Sequence, residues 1–355
     1  MQINRLHGYM SPFYRTLLFH YGRGRGHLVR YLVNRARWHW GPRLNWVGDF
    51  PDHVDLELAS ICNMKCPMCY TVTDAFKGQV PAKLLDFGLF RRLVDECATE
   101  RVFSLRLSLR GEPTLHRDFI ECARYAKSRG IPEVSSLSNA LRLTPEMFAE
   151  LVDMRFDWLT ISFDGVGETY DRIRKPAKFT EMVEKIREFR RIRDRARSRK
   201  PVIRVQTIWP AIEDDPQAFY DLFEPIVDQV CYIPLHDYLH NDSDIEYLED
   251  FSCPVPWQRL VIGSDGRALM CINDELGRHI IGDATRQTLR EIWNQEPLRR
   301  VRAIHRAHEG YKRLTPSQSC NLPRKSEMVS HQIAGKIWHV EQLVRRYRFQ
   351  FPVAI

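Results

Sequence analysis

The sequence contains no run of about 18 or more apolar residues, and this excludes a membrane-spanning helix on length alone. Its first residues also lack the short apolar core and small-residue cleavage site of a secretion signal. Nine cysteines are present in 355 residues, and three of them crowd into positions 62–69. That pattern favours metal-binding thiolates in a reducing compartment over disulfides. We therefore expect a cytoplasmic protein.

Residues 1–50 lack lysine and contain one acid, Asp49, against eight arginines. Most of the net charge of +8 lies in this segment, which we call the arm. Apolar residues and arginines mix between Phe13 and Trp40, and a Gly-Arg-Gly-Arg-Gly break at 22–26 predicts two short helices. Two interpretations stay open: a collar with its apolar stripe packed on the main domain, or a surface for anionic lipid headgroups, a phosphorylated substrate or RNA.

A compact cysteine motif, Cys-Asn-Met-Lys-Cys-Pro-Met-Cys, occupies residues 62–69. Its three thiolates can converge on one small metal centre, but they leave a four-cornered centre one ligand short. A structural zinc site takes four protein ligands. A cubane iron–sulfur cluster held by three cysteines instead keeps one iron free for an outside ligand. The spacing therefore favours such a cluster over zinc or an unligated turn.

This motif resembles the CxxxCxxC loop of the radical S-adenosylmethionine (radical SAM) superfamily, matched here by Cys62, Cys66 and Cys69. The resemblance implies a [4Fe-4S] cluster whose open iron is chelated by the amino and carboxylate groups of SAM, with Tyr70 as the aromatic residue that often follows the third cysteine. It also implies a reducing partner such as flavodoxin or ferredoxin. The expected activity is that of an oxidoreductase in which a 5'-deoxyadenosyl radical abstracts hydrogen from a substrate, while the protein orients and shields the radical.

Six predicted strands alternate with helices after residue 50, a pattern typical of a parallel sheet with outer helices. The predicted strands are 53–58, 103–109, 133–137, 158–162, 203–208 and 229–234. The predicted helices between them are 87–98, 118–128, 145–153, 179–197 and 217–227. We therefore predict an α/β fold, a partial (β/α)6 TIM-like barrel over residues 51–240, with its reactive groups just beyond the C-terminal strand ends.

A Gly-Glu-Pro turn follows the second predicted strand, in the run Arg110-Gly111-Glu112-Pro113. A glycine lets the backbone approach a ligand closely, and a carboxylate can accept hydrogen bonds from an ammonium group. The run resembles the GGEP segment that holds the SAM amino group, with Arg110 in place of the first glycine. Taken alone, the same residues are equally an ordinary turn.

Polar residues also follow the third and fourth predicted strands. Asn139 stands in a Ser-Asn-Ala run that resembles the Ser/Thr-Asn-Gly step of the same family, although a turn asparagine is the alternative interpretation. Ser162 and Asp164 lie two residues apart, so both point to one side of a strand end. The resemblance implies that this pair contacts the SAM ribose and that Arg174 pairs with the SAM carboxylate.

Candidate substrate contacts follow the last two predicted strands, where they face the same end of the barrel or are simply loop polarity. They are Gln206, Trp209, His236, Asp237 and Tyr238, with His240 nearby. The basic run 185–200 offers only Phe189 for stacking on bases, so we interpret it as a solvated helix face and do not expect a nucleic-acid partner.

Cys253, Cys271 and Cys320 dominate residues 241–330. A hairpin turning at Asp265-Gly266 would bring the first two together. The region resembles the SPASM and shorter twitch domains that hold auxiliary [4Fe-4S] clusters, which implies a second cluster here. Where the family often has a CxxC pair, this chain has Cys-Asn-Leu-Pro, so a fourth ligand is missing. An open iron, a distant ligand such as Cys231 or a histidine, or no cluster at all would each account for that, and we favour a bound cluster.

The last segment, residues 331–355, is predicted to be an amphipathic helix that shares the aromatic and basic composition of the arm. The two termini could then form one patch for an anionic membrane surface, which would place the protein on the inner membrane face.

The resemblance implies radical SAM chemistry without specifying its substrate. An auxiliary cluster would favour oxidation, and its absence would favour epimerisation. The arginine-rich arm favours a phosphorylated, nucleotide-linked or lipid-linked sugar-like substrate. Maturation of a ribosomally made peptide, by crosslinking or epimerisation, is the alternative. A non-catalytic iron–sulfur partner subunit is the alternative of another class.

Overall fold

The computed structural model describes residues 8–236, 238–239 and 245–343. Its centre is one ten-stranded sheet in which six consecutive strands run parallel. A two-residue strand, β1 (Gly8–Tyr9), pairs antiparallel with the last of the six. The six are β2 (His53–Leu56), β3 (Ser104–Arg106), β4 (Glu133–Ser138), β5 (Trp158–Ser162), β6 (Val202–Ile208) and β7 (Gln229–Ile233).

Helices connect the six strands and cover the outside of the sheet, because parallel neighbours need crossover connections. They follow two arm helices, α1 (Phe13–Gly24) and α2 (Leu28–Leu44). The connecting helices are α3 (Asp74–Gln79), α4 (Phe87–Thr99), α5 (Phe119–Ser128), α6 (Pro145–Asp153), α7 (Glu168–Ile173), α8 (Phe179–Arg195) and α9 (Pro216–Phe223). The predicted partial (β/α)6 barrel is confirmed.

Local sequence signals explain where several of these helices begin. Asp86 accepts a hydrogen bond from the Leu89 amide at the start of α4, and Thr144 accepts one from Met147 at the start of α6. Proline occupies the first position of α6, where its missing amide hydrogen removes no helical bond. The helices therefore begin close to the positions predicted from sequence.

The C-terminal region extends the barrel sheet and does not form a separate layer. β8 (Arg259–Ile262) runs parallel to β2, and β9 (Arg267–Leu269) and β10 (Ile280–Asp283) follow as antiparallel strands. The turn between β8 and β9 contains Gly266 with φ of 86°, a backbone conformation that favours glycine, as the predicted hairpin requires. The remaining helices are α10 (Val255–Gln258), α11 (Leu289–Asn294), α12 (Glu296–Arg306), α13 (Gly310–Arg313) and α14 (Thr315–Ser319).

The predicted C-terminal helix is wrong over the part of it that the structure describes. Residues 326–343 form a hairpin of β11 (Ser326–Ile333) and β12 (Lys336–Leu343), joined by Ala334-Gly335 with both φ angles positive. Ile333, Ile337 and Val340 recur at helical spacing, whereas Trp338 and Val340 lie two apart as on one face of a strand, and the Gly335 turn decides between the two. The rest of the predicted helix lies outside the described residues.

The arm forms the two predicted helices and lies across the N-terminal ends of the strands. Arg15 donates to the carbonyl oxygens of Glu224 and Val227, just before β7. Phe19 packs edge-on against Trp158 at the start of β5, and Trp38 packs against His53 at the start of β2. The two arm helices therefore lie opposite the C-terminal strand ends, which we call the mouth. No helix in the described ranges is both long and apolar enough to cross a bilayer.

Candidate functional site

The cysteine loop begins where β2 ends, at the mouth. It packs directly on the segment that follows β3, because the Glu112 amide donates to the Ile61 carbonyl at 2.8 Å. A Cβ atom on Gly111 would overlap the carbonyl oxygens of Ala59 and Ile61. Glycine is therefore required at this position so that the cysteine loop can lie against its neighbour.

The three thiols of the loop lie within one short turn, in which the Cys69 amide donates to the Cys66 carbonyl at 3.0 Å. Burial raises the pKa of Cys62, and the charges of Glu112 and Cys69 add to the effect. Burial also raises the pKa of Cys66 to about 11, and both neighbouring thiols contribute. In the described ranges, no three His, Cys, Asp or Glu side chains meet closely enough to ligate a single metal ion. The loop thus forms a group of mutually interacting thiols at the mouth.

Glu112 lies beside the loop and is 3% exposed. Its Oε1 accepts hydrogen bonds from the hydroxyls of Thr114 and Ser138, both at 2.6 Å, and its Oε2 accepts one from the Asn139 amide at 2.7 Å. Burial outweighs these bonds and raises the pKa of the carboxyl group. Within the described residues no cation pairs with it, so the pocket is suited to a cationic ligand group.

Asn139 directly follows β4 and contacts the cysteine loop through its side chain. Its side-chain nitrogen Nδ2 donates to Asn63 Oδ1 at 2.8 Å and lies 3.8 Å from the Cys62 sulfur. Ala140, which follows it, has a φ of 57°, in the left-handed region that favours glycine. Alanine therefore adopts the backbone conformation expected of the glycine in the motif that it resembles.

Asp164 and Arg174 form a buried ion pair at the ends of β5 and α7. Arg174 Nε donates to Asp164 Oδ2 at 2.7 Å, while the Ile208 amide donates to Oδ1. Although burial opposes ionisation, Asp164 and then the Cys66 thiol raise the pKa of the Arg174 guanidinium. Arg174 thus stays charged next to the cysteine loop. The predicted partner Ser162 is half-buried on the same strand end.

Arg110, which replaces a family glycine, pairs with Glu57 in the protein interior. Both side chains are almost fully buried, and two guanidinium nitrogens bond the carboxylate at 2.7 and 2.5 Å. The same pair reaches the C-terminal region, since Ser264 donates its amide to Glu57 and Arg110 donates to the Glu275 carbonyl. Sequence reasoning did not select Glu57. The available signal was a second carboxylate, two residues after Asp55, at the end of a strand that leads into the cysteine loop.

Cys253, Cys271 and Cys320 come together in the C-terminal region. Burial raises the pKa of Cys253 to about 12, and Cys320 adds to that shift. Burial also places the pKa of Cys271 well above its usual value, with Cys253 and Cys320 contributing. The Asn273 side chain donates to the Cys320 sulfur at 3.1 Å. Cys231 instead lies beside Tyr9 and Arg204 at the sheet edge, so it is not placed as a fourth ligand of this group.

Tyr238 lies between the two cysteine groups. Its ring contacts Tyr70 edge-on, with centroids 4.6 Å apart. Burial raises the pKa of its hydroxyl, and Cys69 on one side and Cys271 and Cys320 on the other contribute to the shift. An aromatic side chain from the loop after β7 therefore separates the two thiol sites.

The other substrate candidates lie near the mouth without forming one cluster. Trp209 is buried between Tyr232 and His331, and its indole nitrogen has no hydrogen-bond partner within the described residues. His236 stacks on Tyr238 at 5.3 Å. Gln206 pairs with Ser162 in the sheet register and is half-buried. Asp237 and His240 lie outside the described residues.

The donors around both thiol groups fit iron–sulfur clusters. The Cys62 sulfur accepts the amide of Met64 at 3.5 Å, and the Cys320 sulfur accepts that of Leu322 at 3.4 Å. Cys253 and Cys271 accept amides in the same way, each from the residue two positions later. Hydrogen bonds to cysteine sulfur are one of the means by which a protein tunes such a cluster. The C-terminal group thus has a backbone donor at each of its three thiols, and the cysteine loop has one at Cys62.

Family comparisons agree with this arrangement. Residues 56–208 match the model of the radical SAM superfamily, and residues 253–321 match that of the SPASM iron–sulfur cluster-binding domain. The two matches include all six cysteines of the two thiol groups; the second match begins at Cys253 and ends one residue after Cys320. The radical SAM fold, its [4Fe-4S] cluster and SAM as cofactor, and the auxiliary iron–sulfur site follow from them.

Individual relatives match only part of the chain. A tungsten-containing aldehyde ferredoxin oxidoreductase cofactor-modifying protein of Pyrococcus furiosus is 28% identical over 37% of this chain and 40% of its own length. Mycofactocin maturase MftC of Mycolicibacterium smegmatis is 30% identical over 37% of this chain and 32% of its own length. The chain thus spans about two fifths of the first relative and about a third of the second.

Among solved structures, BtrN in complex with AdoMet and 2-DOIA shares the fold. It superposes with a TM-score of 0.53 at 16% identity, over 77% of this chain and 93% of BtrN. At this identity the likeness concerns the fold alone.

Proposed function

Because the chain belongs to the radical SAM superfamily and carries a C-terminal SPASM domain, we propose that it cleaves SAM reductively and removes hydrogen from a substrate C–H bond. The observation that carries this proposal is Glu112, a buried carboxylate without a cationic partner among the described residues, next to three clustered thiols. In this position it is suited to the SAM ammonium group.

The proposed roles assign each residue near the loop to one task. Cys62, Cys66 and Cys69 would hold the cluster, and Arg174 would bind the SAM carboxylate while Asp164 orients it. When bound, the cluster supplies one electron to the SAM sulfonium, whose cleavage gives the 5'-deoxyadenosyl radical. Ser162, Asn139 and Gly111 complete the proposed cofactor contacts, of which Gly111 acts through its close backbone packing.

Shielding of the radical is the task of the aromatic residues. Tyr70, Phe76 and Tyr238 contact one another beside the loop, and the Tyr70–Phe76 ring centroids lie 5.4 Å apart. Such a wall excludes water, which would otherwise quench a reactive intermediate or let it escape. Tyr238 also separates the proposed substrate space from Cys271 and Cys320.

The net reaction depends on the auxiliary site. We propose that Cys253, Cys271 and Cys320 would hold an auxiliary [4Fe-4S] cluster, which when bound would supply an electron acceptor and so favour an oxidised product. A chain without this cluster would return a redox-neutral product, such as an epimer. No fourth cysteine lies in this group within the described residues.

A sugar-like small molecule is our first proposed substrate, in phosphorylated, nucleotide-linked or lipid-linked form. Trp209, His236 and Tyr238 offer aromatic and polar contacts near the mouth that suit a small polar molecule. Arg15 and Arg23 of the arm contribute nothing to such contacts, because they lie at the opposite end of the barrel. Helices α1 and α2 lie at that end, and Gly8–Tyr9 add only a two-residue strand to the edge of the barrel sheet.

A ribosomally made peptide is the second proposed substrate. The name of the related mycofactocin maturase, a protein similar to this chain over 37% of its length, supports it. The two substrate classes differ in which molecule transfers hydrogen to deoxyadenosine. Incubation with cell extract separated into peptide and small-molecule fractions, in deuterated and ordinary form, distinguishes them by the mass of the deoxyadenosine.

The catalytic proposal is tested by anaerobic reconstitution with iron and sulfide, followed by SAM and dithionite. We expect 5'-deoxyadenosine and methionine in equal amounts from the native chain and neither from Cys66→Ala. Release of deoxyadenosine by Cys66→Ala, or none from the native chain loaded with cluster, would contradict the proposal. The second result would leave a non-catalytic iron–sulfur subunit as the alternative.

A further inference from the structure

The arm exposes an unusual amount of apolar surface. Of sixteen large apolar side chains that are exposed in the described residues, twelve lie in its 34-residue stretch from Phe13 to Trp46. They are Phe13, Tyr14, Leu17, Leu18, Tyr21, Leu28, Val29, Leu32, Val33, Trp40, Leu44 and Trp46. Phe13 and Val29 are each 75% exposed. A patch of this density on a soluble surface marks an interaction site.

The exposed residues follow the helical period. On α1 they recur at Phe13, Leu17 and Tyr21, and on α2 at Val29 and Val33, with further members one position away. Side chains four residues apart lie on one face of a helix. Each arm helix therefore turns a continuous apolar face away from the barrel. We call the two together the arm face.

Three arginines of the arm point towards the barrel. Arg23 pairs with buried Glu133 at the base of β4, Arg15 pairs with Glu224 at 2.5 Å, and Arg37 pairs with Asp52 at 3.3 Å. The usual surface helix buries its apolar stripe and exposes its charges. In the described arm, Phe19 and Tyr31 pack on the barrel as in the collar interpretation, but most of the large apolar side chains lie in water.

These ion pairs hold the arm in place. Breaking a buried pair leaves an uncompensated charge and is strongly unfavourable. Two further bonds join α2 to α10, from Gln258 to the Trp38 carbonyl at 2.8 Å and from Trp257 to the Asn45 side chain at 3.2 Å. The arm cannot turn over to bury its apolar face on the barrel without losing all of these contacts.

A basic cleft of about 720 Å³ opens at the edge of the arm face, beneath α1. Tyr14, Leu18 and Tyr21 belong both to its lining and to the arm face. Arg25 and Arg155, which also line it, are exposed and form no ion pair or side-chain hydrogen bond within the described residues. Arginine is suited to phosphate groups through its fork of donors.

We propose that the arm face and this cleft dock the protein on an anionic membrane surface, with apolar side chains in the headgroup boundary and lipid phosphates at Arg25 and Arg155. The charge of the arm identifies the occupant, since residues 8–48 contain no acid. Tyrosine and tryptophan on the face are residues typical of a membrane interface. A second copy of the chain is a poorer occupant, because it would leave the unpaired Arg25 and Arg155 at the edge of the arm face without phosphate partners.

The docked orientation follows from the position of the arm. The arm crosses the N-terminal ends of the strands, and the cysteine loop, Glu112 and Arg174 lie at the C-terminal ends. The mouth therefore faces the aqueous side, away from the bilayer. This inference does not depend on the proposed reaction.

The test is flotation of the full-length, cluster-loaded protein with vesicles of phosphatidylcholine alone or with added phosphatidylglycerol. We expect binding to the anionic vesicles only. Leu17→Glu with Val29→Glu should weaken that binding at least about tenfold, because two apolar side chains no longer enter the boundary. Ile337→Glu is the matched control: Ile337 is 71% exposed on the hairpin and should leave binding unchanged.

A second variant tests the proposed phosphate contacts, and its catalytic activity shows whether the fold is intact. Arg25→Gln with Arg155→Gln should reduce binding to anionic vesicles and its sensitivity to salt, while deoxyadenosine formation stays at the native level. Absence of binding by the native chain, equal binding to both vesicle types, or binding by the Leu17/Val29 variant would overturn the proposal. A native dimer that the Leu17/Val29 variant converts to a monomer in sedimentation velocity would also overturn it, in favour of an interface between copies.

Discussion

At the scale of single residues, the mouth contains two buried carboxylates, Glu112 and Asp164, whose hydrogen-bond partners differ in charge. Glu112 accepts hydrogen bonds only from neutral groups, whereas Asp164 is neutralised by Arg174. The Asp164–Arg174 ion pair can keep its geometry without a ligand, whereas the Glu112 carboxylate is stabilised most when a cation binds next to it. This difference makes Glu112 the residue whose replacement is most informative.

Glu112→Gln should weaken SAM binding by roughly 10- to 100-fold, the range expected when a charge-assisted hydrogen bond is lost. The amide preserves size and most of the neutral hydrogen bonds, so the fold should be retained. Equilibrium dialysis with the reconstituted protein measures the change. Glu291→Gln, an exposed helix-cap replacement far from the site, is the control, and equal affinities of the two variants would contradict the assignment.

Ala140→Gly should stabilise the protein by about 1 kcal/mol, because alanine at a φ of 57° carries a steric cost that glycine avoids. Urea denaturation measures the gain. Ala98→Gly, on the regular helix α4, is the matched control and should lose stability. Destabilisation by both variants would show that the left-handed position carries no strain.

Asp55 is fully buried among Arg106, His53 and Arg259. Burial alone would raise its pKa, but these three groups together lower the pKa well below the usual range. Its contribution to stability is therefore complete above the ordinary aspartate pKa and is lost as the pH falls through the depressed folded value.

Asp55→Asn should accordingly lower the free energy of unfolding by about 3–5 kcal/mol at neutral pH, because it leaves buried arginines uncompensated. The difference in free energy of unfolding between the native chain and the variant should decrease only below about pH 4. Urea titrations across the acid range measure it, with exposed Asp153→Asn for comparison. A gap that narrows at neutral pH would contradict the sign of the shift.

At the scale of elements, the cysteine loop packs against the turn that contains Gly111. Gly111→Ala would place a Cβ against the backbone of Ala59 and Ile61, which cannot move as a flexible side chain could. We expect the variant to fold but to lose most of the iron of the first cluster, as measured by iron content and the visible spectrum. Gly130→Ala, a turn glycine whose added Cβ meets no neighbour, should keep its iron.

Element boundaries in the barrel could be predicted because each helix and strand carries its own local signal. Caps at Asp86 and Thr144 and the apolar periods around them are read from neighbours in the sequence. The hairpin at 326–343 could not be predicted in this way, since its amphipathic pattern suits two periods. The inward direction of the arm arginines also escaped prediction, because it depends on carboxylates such as Glu133 and Glu224 that are far away in sequence.

At the scale of the whole molecule, each of the radical SAM and SPASM regions contains one of the two thiol groups, and one buried ion pair connects the two regions. The loop cysteines could be found from their spacing and the C-terminal cysteines from the family resemblance, whereas the contact of Tyr238 with Tyr70 could not be predicted. The Glu57–Arg110 pair, with its bonds to Ser264 and Glu275, links β2, the turn after β3 and the C-terminal strands. Arg110, which stands where the family often has glycine, thus connects the barrel to the C-terminal region.

The reconstituted native chain should contain about eight iron atoms, since each of two cubanes holds four. Cys320→Ser should retain about four and still form deoxyadenosine, whereas Cys66→Ser should retain about four and form none. Colorimetric iron assays and product analysis measure both. About four atoms in the native chain and in Cys320→Ser would show that the C-terminal thiols hold no cluster.

The opposite placement of the arm and the mouth has a practical consequence. A bead, electrode or fluorescent label joined to an exposed side chain of α2, such as Val29, would leave the entrance unobstructed. The same attachment at the C-terminal hairpin, where His331 covers Trp209, would crowd it. Immobilised catalysis and single-molecule measurements on this protein are therefore best built from the side of the arm helices.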